Sequence, residues 1–79
     1  MNYRLLYFAS LRDTAGRAEE TVASEARDPR ALYAEVAARH GLTQPIAQLR
    51  IAVNGGFASL DHVLADGDEV AFLPPVSGG

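Results

Sequence analysis

Alternation of apolar and polar positions opens the chain. Over residues 2–9, Tyr3, Leu5 and Tyr7 fall on one side of an extended segment, and Arg4, Leu6 and Phe8 on the other. Arginine is rarely buried without a partner, so the Arg4 side is the less buried one, although it carries Leu6 and Phe8. This pattern predicts a first strand. Residues 10–16 break it and read as a connection, with room for one helical turn at Leu11-Arg12-Asp13 before Gly16 ends it. Residues 17–24 alternate weakly, setting Ala18, Glu20 and Val22 against Glu19, Thr21 and Ala23. They predict a second strand, antiparallel to the first, whose acidic residues suit a sheet edge in water.

The period then lengthens. Over residues 28–41, Leu32 and Val36 share one helical face, with Tyr33 and Ala37 beside them. Asp28 is a good N-cap, Pro29 fills the first helical position, and Gly41 suits a left-handed exit. Glu35 and Arg39 are four apart in the favourable order, worth about 0.3–0.5 kcal/mol. His40 suits the negative end of the helix dipole and reads as a helix-end residue rather than a base. Residues 42–49 form a connection with a short helical turn after Pro45. Arg50–Val53 is a short strand with Ile51 and Val53 inward. Asn54-Gly55 is a hairpin turn whose central positions need positive φ. A phosphate-binding loop at Gly56 lacks both the glycine spacing and the lysine. Residues 57–60 form another short strand, Asp61 caps a small turn and His62 lies on the surface. Asp66-Gly67 turns the chain into a last strand, Glu69–Leu73, with Val70 and Phe72 opposite Ala71 and Leu73.

Two strands, a helix, then two or three strands make an α+β layout: a mixed sheet with one main helix packed on one face. The other face is then open or shared with a partner. Strand parity puts Phe8 and Leu73 there, with Phe57 near its rim. An apolar patch with an arginine nearby reads as an interface, although a one-residue slip of register would reverse the assignment.

Composition narrows the chemistry. Seventy-nine residues, 48% hydrophobic and 22% charged, fit one small globular domain. No apolar run is long enough to span a membrane, and the first nine residues, with Arg4 among them, lack a signal-peptide pattern. A cytoplasmic protein is expected. The net charge of −3 and the scattered basic residues argue against nucleic acid. The absence of cysteine excludes disulfides, thiolate metal sites and a thiol nucleophile. His40 and His62 show no ligand spacing, so no metal site is expected. All seven basic residues are arginine, so no lysine amine exists for another copy to be joined to.

Residues 1–73 read as the domain and residues 74–79, Pro74-Pro75-Val76-Ser77-Gly78-Gly79, as an extended tail. Two prolines fix φ and favour a projecting polyproline II shape. Six residues reach roughly 20 Å. Gly78 and Gly79 have no side chains and fit a channel too narrow for other residues. The terminal carboxylate, with a reference pKa of about 3.5, is ionised at neutral pH and is an oxygen nucleophile. Gly-Gly by itself would also suit an idle end, but the prolines and Val76 give this tail a stiffness that an idle end has no use for.

The whole chain resembles the ubiquitin-like β-grasp sulfur carriers, and within them the MoaD-type small subunits of molybdopterin synthase. The resemblance is most specific over Asp66-Gly67-Asp68-Glu69-Val70-Ala71-Phe72-Leu73-Pro74-Pro75-Val76-Ser77-Gly78-Gly79. It extends to Leu5-Leu6-Tyr7-Phe8-Ala9-Ser10-Leu11-Arg12 and to the Val53-Asn54 turn, and is weak over residues 17–49.

That resemblance implies a β-grasp fold and a function in molybdenum cofactor biosynthesis. An adenylating enzyme of the ubiquitin-activating type, using ATP and Mg²⁺, would activate the Gly79 carboxylate, and a sulfur donor would convert it to a thiocarboxylate. The large subunit of the synthase would then receive the tail, and its pyranopterin precursor the sulfur, in an assembly of two small and two large subunits. Catalysis would belong to the partners, and this chain would bind no cofactor itself. Phe8, Phe57 and Leu73, with Arg12 at the edge, form the expected docking face for both partners. Pro74, Pro75, Val76 and Ser77 would line the partner's channel ahead of Gly78 and Gly79. Sharing one face would make the two complexes mutually exclusive. Three other readings stay open: a carrier for thiamin or cysteine synthesis, a protein modifier joined through Gly79, and an interaction domain with an idle tail.

Overall fold

Each alternating segment forms a strand, and the buried inward residues share one core with the main helix. The computed structural model describes residues 1–75. It contains β1 (Asn2–Tyr7), α1 (Ala9–Ala15), β2 (Glu19–Ala23), α2 (Pro29–His40), a 3₁₀ turn (Ile46–Gln48), β3 (Arg50–Val53), β4 (Gly56–Ala58) and β5 (Glu69–Leu73). The five strands make one mixed sheet in the order β2-β1-β5-β3-β4. The last strand is thus central, parallel to β1 and antiparallel to β3.

Tyr3, Leu5 and Tyr7 of β1, Val22 of β2, Ile51 of β3 and Val70 and Phe72 of β5 are buried on one face. Against them lie Leu32, Tyr33 and Val36 of α2. The Tyr33 and Phe72 rings are 5.2 Å apart, centroid to centroid. Fully burying such a side chain contributes about 1.5–3 kcal/mol. The buried phenols are not left wanting: Tyr3 donates to the Ala26 carbonyl at 2.5 Å and Tyr33 to that of Gln44 at 2.7 Å.

The helix begins and ends as its sequence requires. Asp28 Oδ1 accepts from the Ala31 N–H at 2.8 Å, Pro29 occupies the first position, and Gly41 exits at φ 69°. Residues 59–68 hold no strand. They are held to the start of α2 and the residue before its cap by Arg30 N–H to the Leu60 carbonyl (3.2 Å) and Leu64 N–H to the Arg27 carbonyl (2.8 Å).

Four expectations change. Glu35 and Arg39 do not pair among the described residues; Glu35 accepts from the Ser24 hydroxyl at 3.2 Å instead. The connection after β1 is a seven-residue helix, α1, which continues beyond the ends of β1 and β5 and buries Leu11. Ala9 enters it at φ 50°, in the left-handed region, and so turns the chain sharply off the strand. Glu20 is not a water-facing edge residue: its side chain is only 8% exposed, because parity points it inward toward Tyr7 and His40. The strand after the hairpin turn is Gly56–Ala58 rather than residues 57–60, as the chain leaves the sheet after pairing Ala58 with Ile51.

Candidate functional site

The register of the sheet fixes what lies on the face away from α2. One row crosses it as Leu6, Ala71, Ala52 and Phe57. The row beside it, toward the end of β5, holds Leu73 with its partner Arg50. Phe8 follows Tyr7, the partner of Phe72, in extended conformation, so alternation places it on this face next to Leu73. Opposite, toward the start of β5, lie Arg4 and Glu69.

Exposure decides between core and surface for the two aromatic candidates. Phe8 is 42% exposed and Phe57 71%. A core phenylalanine would be near zero, as Phe72 is. Leu73 is partly covered, Pro74 partly covered and Pro75 exposed. Arg12 is exposed on the last turn of α1. The structure thus brings Phe8, Leu73 and Phe57 onto one face, with Arg12 on the helix that follows Phe8. Val76, Ser77, Gly78 and Gly79 lie outside the described residues.

Charge divides the face. At one end Arg4 pairs with Glu19 at 2.7 Å and Glu69 at 3.8 Å, and the hydrogen bond to Glu19 raises its already high pKa. At the other end the Arg50 guanidinium lies over the Phe57 ring, 5.3 Å from its centroid. Among the described residues no carboxylate comes within 4 Å of Arg50 or Arg12. Arg50 is the residue sequence reasoning missed. Half of the signal was present: if Ile51 and Val53 point inward, Arg50 points outward.

A second polar group lies under the sheet. Glu20 Oε2 accepts from the Tyr7 hydroxyl at 2.6 Å and meets His40 Nε2 at 2.5 Å, while Arg17 stands 3.8 Å from Oε1. The Tyr7 and His40 rings meet edge to face at 5.8 Å. Burial alone would push the Glu20 carboxyl up; the hydrogen bonds from Tyr7 and His40 outweigh it and hold the group below its ordinary range. Burial, then the bond to Glu20, push the Tyr7 phenol well above its ordinary value. Among the described residues no three His, Asp or Glu side chains are grouped to hold a metal ion, and no helix is long and apolar enough to cross a membrane.

The turns that start β5 are clasped to the β3–β4 hairpin. Asn54 Nδ2 donates to Asp68 Oδ1, and the Glu69 N–H donates to Asn54 Oδ1, both at 2.9 Å. The Ala65 N–H and the Asn54 amide together hold the Asp68 carboxyl below its ordinary pKa.

Known proteins share this arrangement. The sequence matches the ThiS family over residues 5–79. It is 42% identical to the molybdopterin synthase sulfur carrier subunit of Escherichia coli (strain K12) over 79 residues, covering 96% of this chain and 98% of that protein. The fold superposes on SAMP1 from Haloferax volcanii with a TM-score of 0.82 at 25% identity, over the full length of both chains. A protein-protein complex of subunits 1 and 2 of the molybdopterin-converting factor from Helicobacter pylori 26695 contains a chain matched with a TM-score of 0.68 at 28% identity, again full length on both sides. The α+β fold is the ubiquitin-like β-grasp. The end-to-end match and the shared sheet lead to one conclusion: the chain belongs to the ThiS family, together with the molybdopterin synthase sulfur carrier subunits.

Proposed function

We propose that this chain is the sulfur carrier subunit of a molybdopterin synthase. The observation that carries the reading is the likeness to the Escherichia coli subunit across nearly the whole of both chains. The fold supports it. The strand that runs into Pro74 and Pro75 is the central one of the sheet, paired on both sides, rather than an edge strand.

The chemistry belongs to residue 79. A carboxylate is a poor acyl donor, so its oxygen first attacks the α-phosphate of Mg·ATP on an adenylating enzyme, pyrophosphate leaves, and an acyl-adenylate forms. A sulfur nucleophile at the acyl carbon then expels AMP and leaves a thiocarboxylate. On the large subunit that sulfur passes to the pyranopterin precursor, and hydrolysis returns the carboxylate. A dithiolene needs two sulfurs, so two charged carriers serve each product. ATP and Mg²⁺ are held by the activating enzyme. Phe8, Phe57, Leu73 and Arg12 dock the partners, and Pro74 to Ser77 fill the channel ahead of Gly78 and Gly79. The working assembly is a heterotetramer of two small and two large subunits in the cytoplasm.

Intact mass spectrometry after incubation with the cognate adenylating enzyme, ATP and sulfide tests the reading. Replacement of one oxygen by sulfur, placed on Gly79 by fragmentation and not on Met1 as an oxidation, is the expected result. An unmodified Gly79, with the enzyme active on a control carrier, would overturn it.

A further inference from the structure

We infer that Arg50 selects the partner: the surface that docks on the open face must present an Asp or Glu carboxylate opposite it, set among apolar residues. This rests on the proposed function only in taking the open face as the docking face.

Arg50 occupies an unusual position. In register it is the partner of Leu73, the residue from which the tail departs, and its guanidinium rests on the exposed ring of Phe57. Its surroundings are mostly apolar. Ala47, Leu49 and Leu60 join Arg50 and Phe57 around a shallow groove by the edge strand β4, where Ser59 is the one other polar side chain. Arg4, the other cation of the face, already has Glu19 and Glu69. Arg50 has no carboxylate within 4 Å among the described residues.

The consequence follows from desolvation. A partner that covers Phe8, Leu73 and Phe57 also covers Arg50, and a buried cation without a counter-charge is strongly unfavourable. Phe57 supports one flat side of the guanidinium but offers no hydrogen-bond acceptor. The N–H donors at the rim of the fork suit a carboxylate in bidentate geometry. Stacking holds the group in place before binding, so less freedom is lost when the pair forms. An apolar or basic partner residue at that point would be rejected, which is how one charge discriminates among surfaces of similar shape. The occupant is therefore a protein surface with an acidic residue inside an apolar rim, and the converting-factor second subunit from the same genome is the partner that the Helicobacter pylori complex points to.

Calorimetric titration of this chain with that second subunit provides the test, with Arg50→Met, Arg50→Glu, Arg50→Lys and Leu73→Asp beside the parent. Circular dichroism establishes that each variant is folded. Expected is a loss of affinity of about 30-fold or more for Arg50→Met, larger for Arg50→Glu and partly restored in Arg50→Lys. The parent should also weaken with added salt more steeply than Arg50→Met. Parent-like affinity for Arg50→Met, with Leu73→Asp unable to bind, would overturn the role of Arg50 and leave the docking face standing. Parent-like affinity for both variants would overturn the docking face and, with it, the inference.

Discussion

The Tyr7 hydroxyl donates to Glu20 Oε2 at 2.6 Å, joining β1 to the edge strand β2. The same oxygen meets His40 at the end of α2, so one carboxylate ties three elements together. Replacing Glu20 by Gln should destabilise the fold by about 1–3 kcal/mol at neutral pH, the worth of charge-assisted bonds in a covered site. The pH dependence has a definite sign. Folding lowers the Glu20 pKa below its ordinary 4.5, so its contribution is complete above that value and shrinks as the pH falls through the folded pKa. Urea unfolding from pH 7 downward should show a shallower acid decline for Glu20→Gln than for the parent.

Phe72 and Phe57 are the same residue in opposite circumstances. Phe72, fully buried between Tyr7 and Tyr33, should cost about 3–5 kcal/mol as Phe72→Ala. A domain of this size has a total stability of about 4–12 kcal/mol, so that variant is expected to be partly unfolded at 37 °C. Phe57→Ala should change stability by less than about 1 kcal/mol, because the ring is mostly in water. Its effect should appear in binding to the large subunit instead. Thermal unfolding and titration, run on both variants, separate the two roles.

Asn54 carries two kinds of load. Its side chain both donates to Asp68 and accepts from the Glu69 N–H, and its backbone sits at φ 52°. Asn54→Gly removes the bonds but keeps the conformation, and should cost about 1–2 kcal/mol. Asn54→Ala adds left-handed strain of about 1 kcal/mol. Hydrogen exchange gives a local reading: the Glu69 amide should lose protection in both variants, while the Phe72 amide in mid-sheet should not lose it selectively.

Ala9 offers a stabilising change. An alanine at φ 50° is strained, and glycine is not. Relief of about 1–2 kcal/mol of strain, less about 0.4–1 kcal/mol for the added entropy of the unfolded chain, should leave Ala9→Gly more stable by roughly 0.5–1 kcal/mol. A lower unfolding midpoint would mean that the strain at Ala9 is smaller than the entropy that glycine adds to the unfolded chain.

Much of this fold was legible because its signals are local. Asp28, Pro29 and Gly41 mark α2 to within a residue, and Asn54-Gly55 marks the hairpin. The inward parity of Tyr3, Leu5 and Tyr7 holds, as does that of Val70 and Phe72. The helix α1 was legible only as a possible turn, since seven residues with one fully buried position, Leu11, give no period to read. Glu20 misled for a different reason. Its partners lie 13 and 20 residues away, and a carboxylate in an alternating strand looks the same whether it meets water or a phenol. At the site, the outward residues of β1 and β5 were readable by parity. Arg50 needed the pairing of β3 with β5, which brings Leu73 alongside it.

The place of β5 has a mechanical meaning. It is bonded on both sides, parallel to β1 and antiparallel to β3. Consider a force applied at Leu73 along the axis of β5. Both ladders then resist in shear, with many hydrogen bonds loaded together, whereas an edge strand peeled from its end would yield one bond at a time. Such a force pulls against the two neighbouring strands at once rather than against one. A load on that end of β5 is therefore shared by two ladders rather than carried by one.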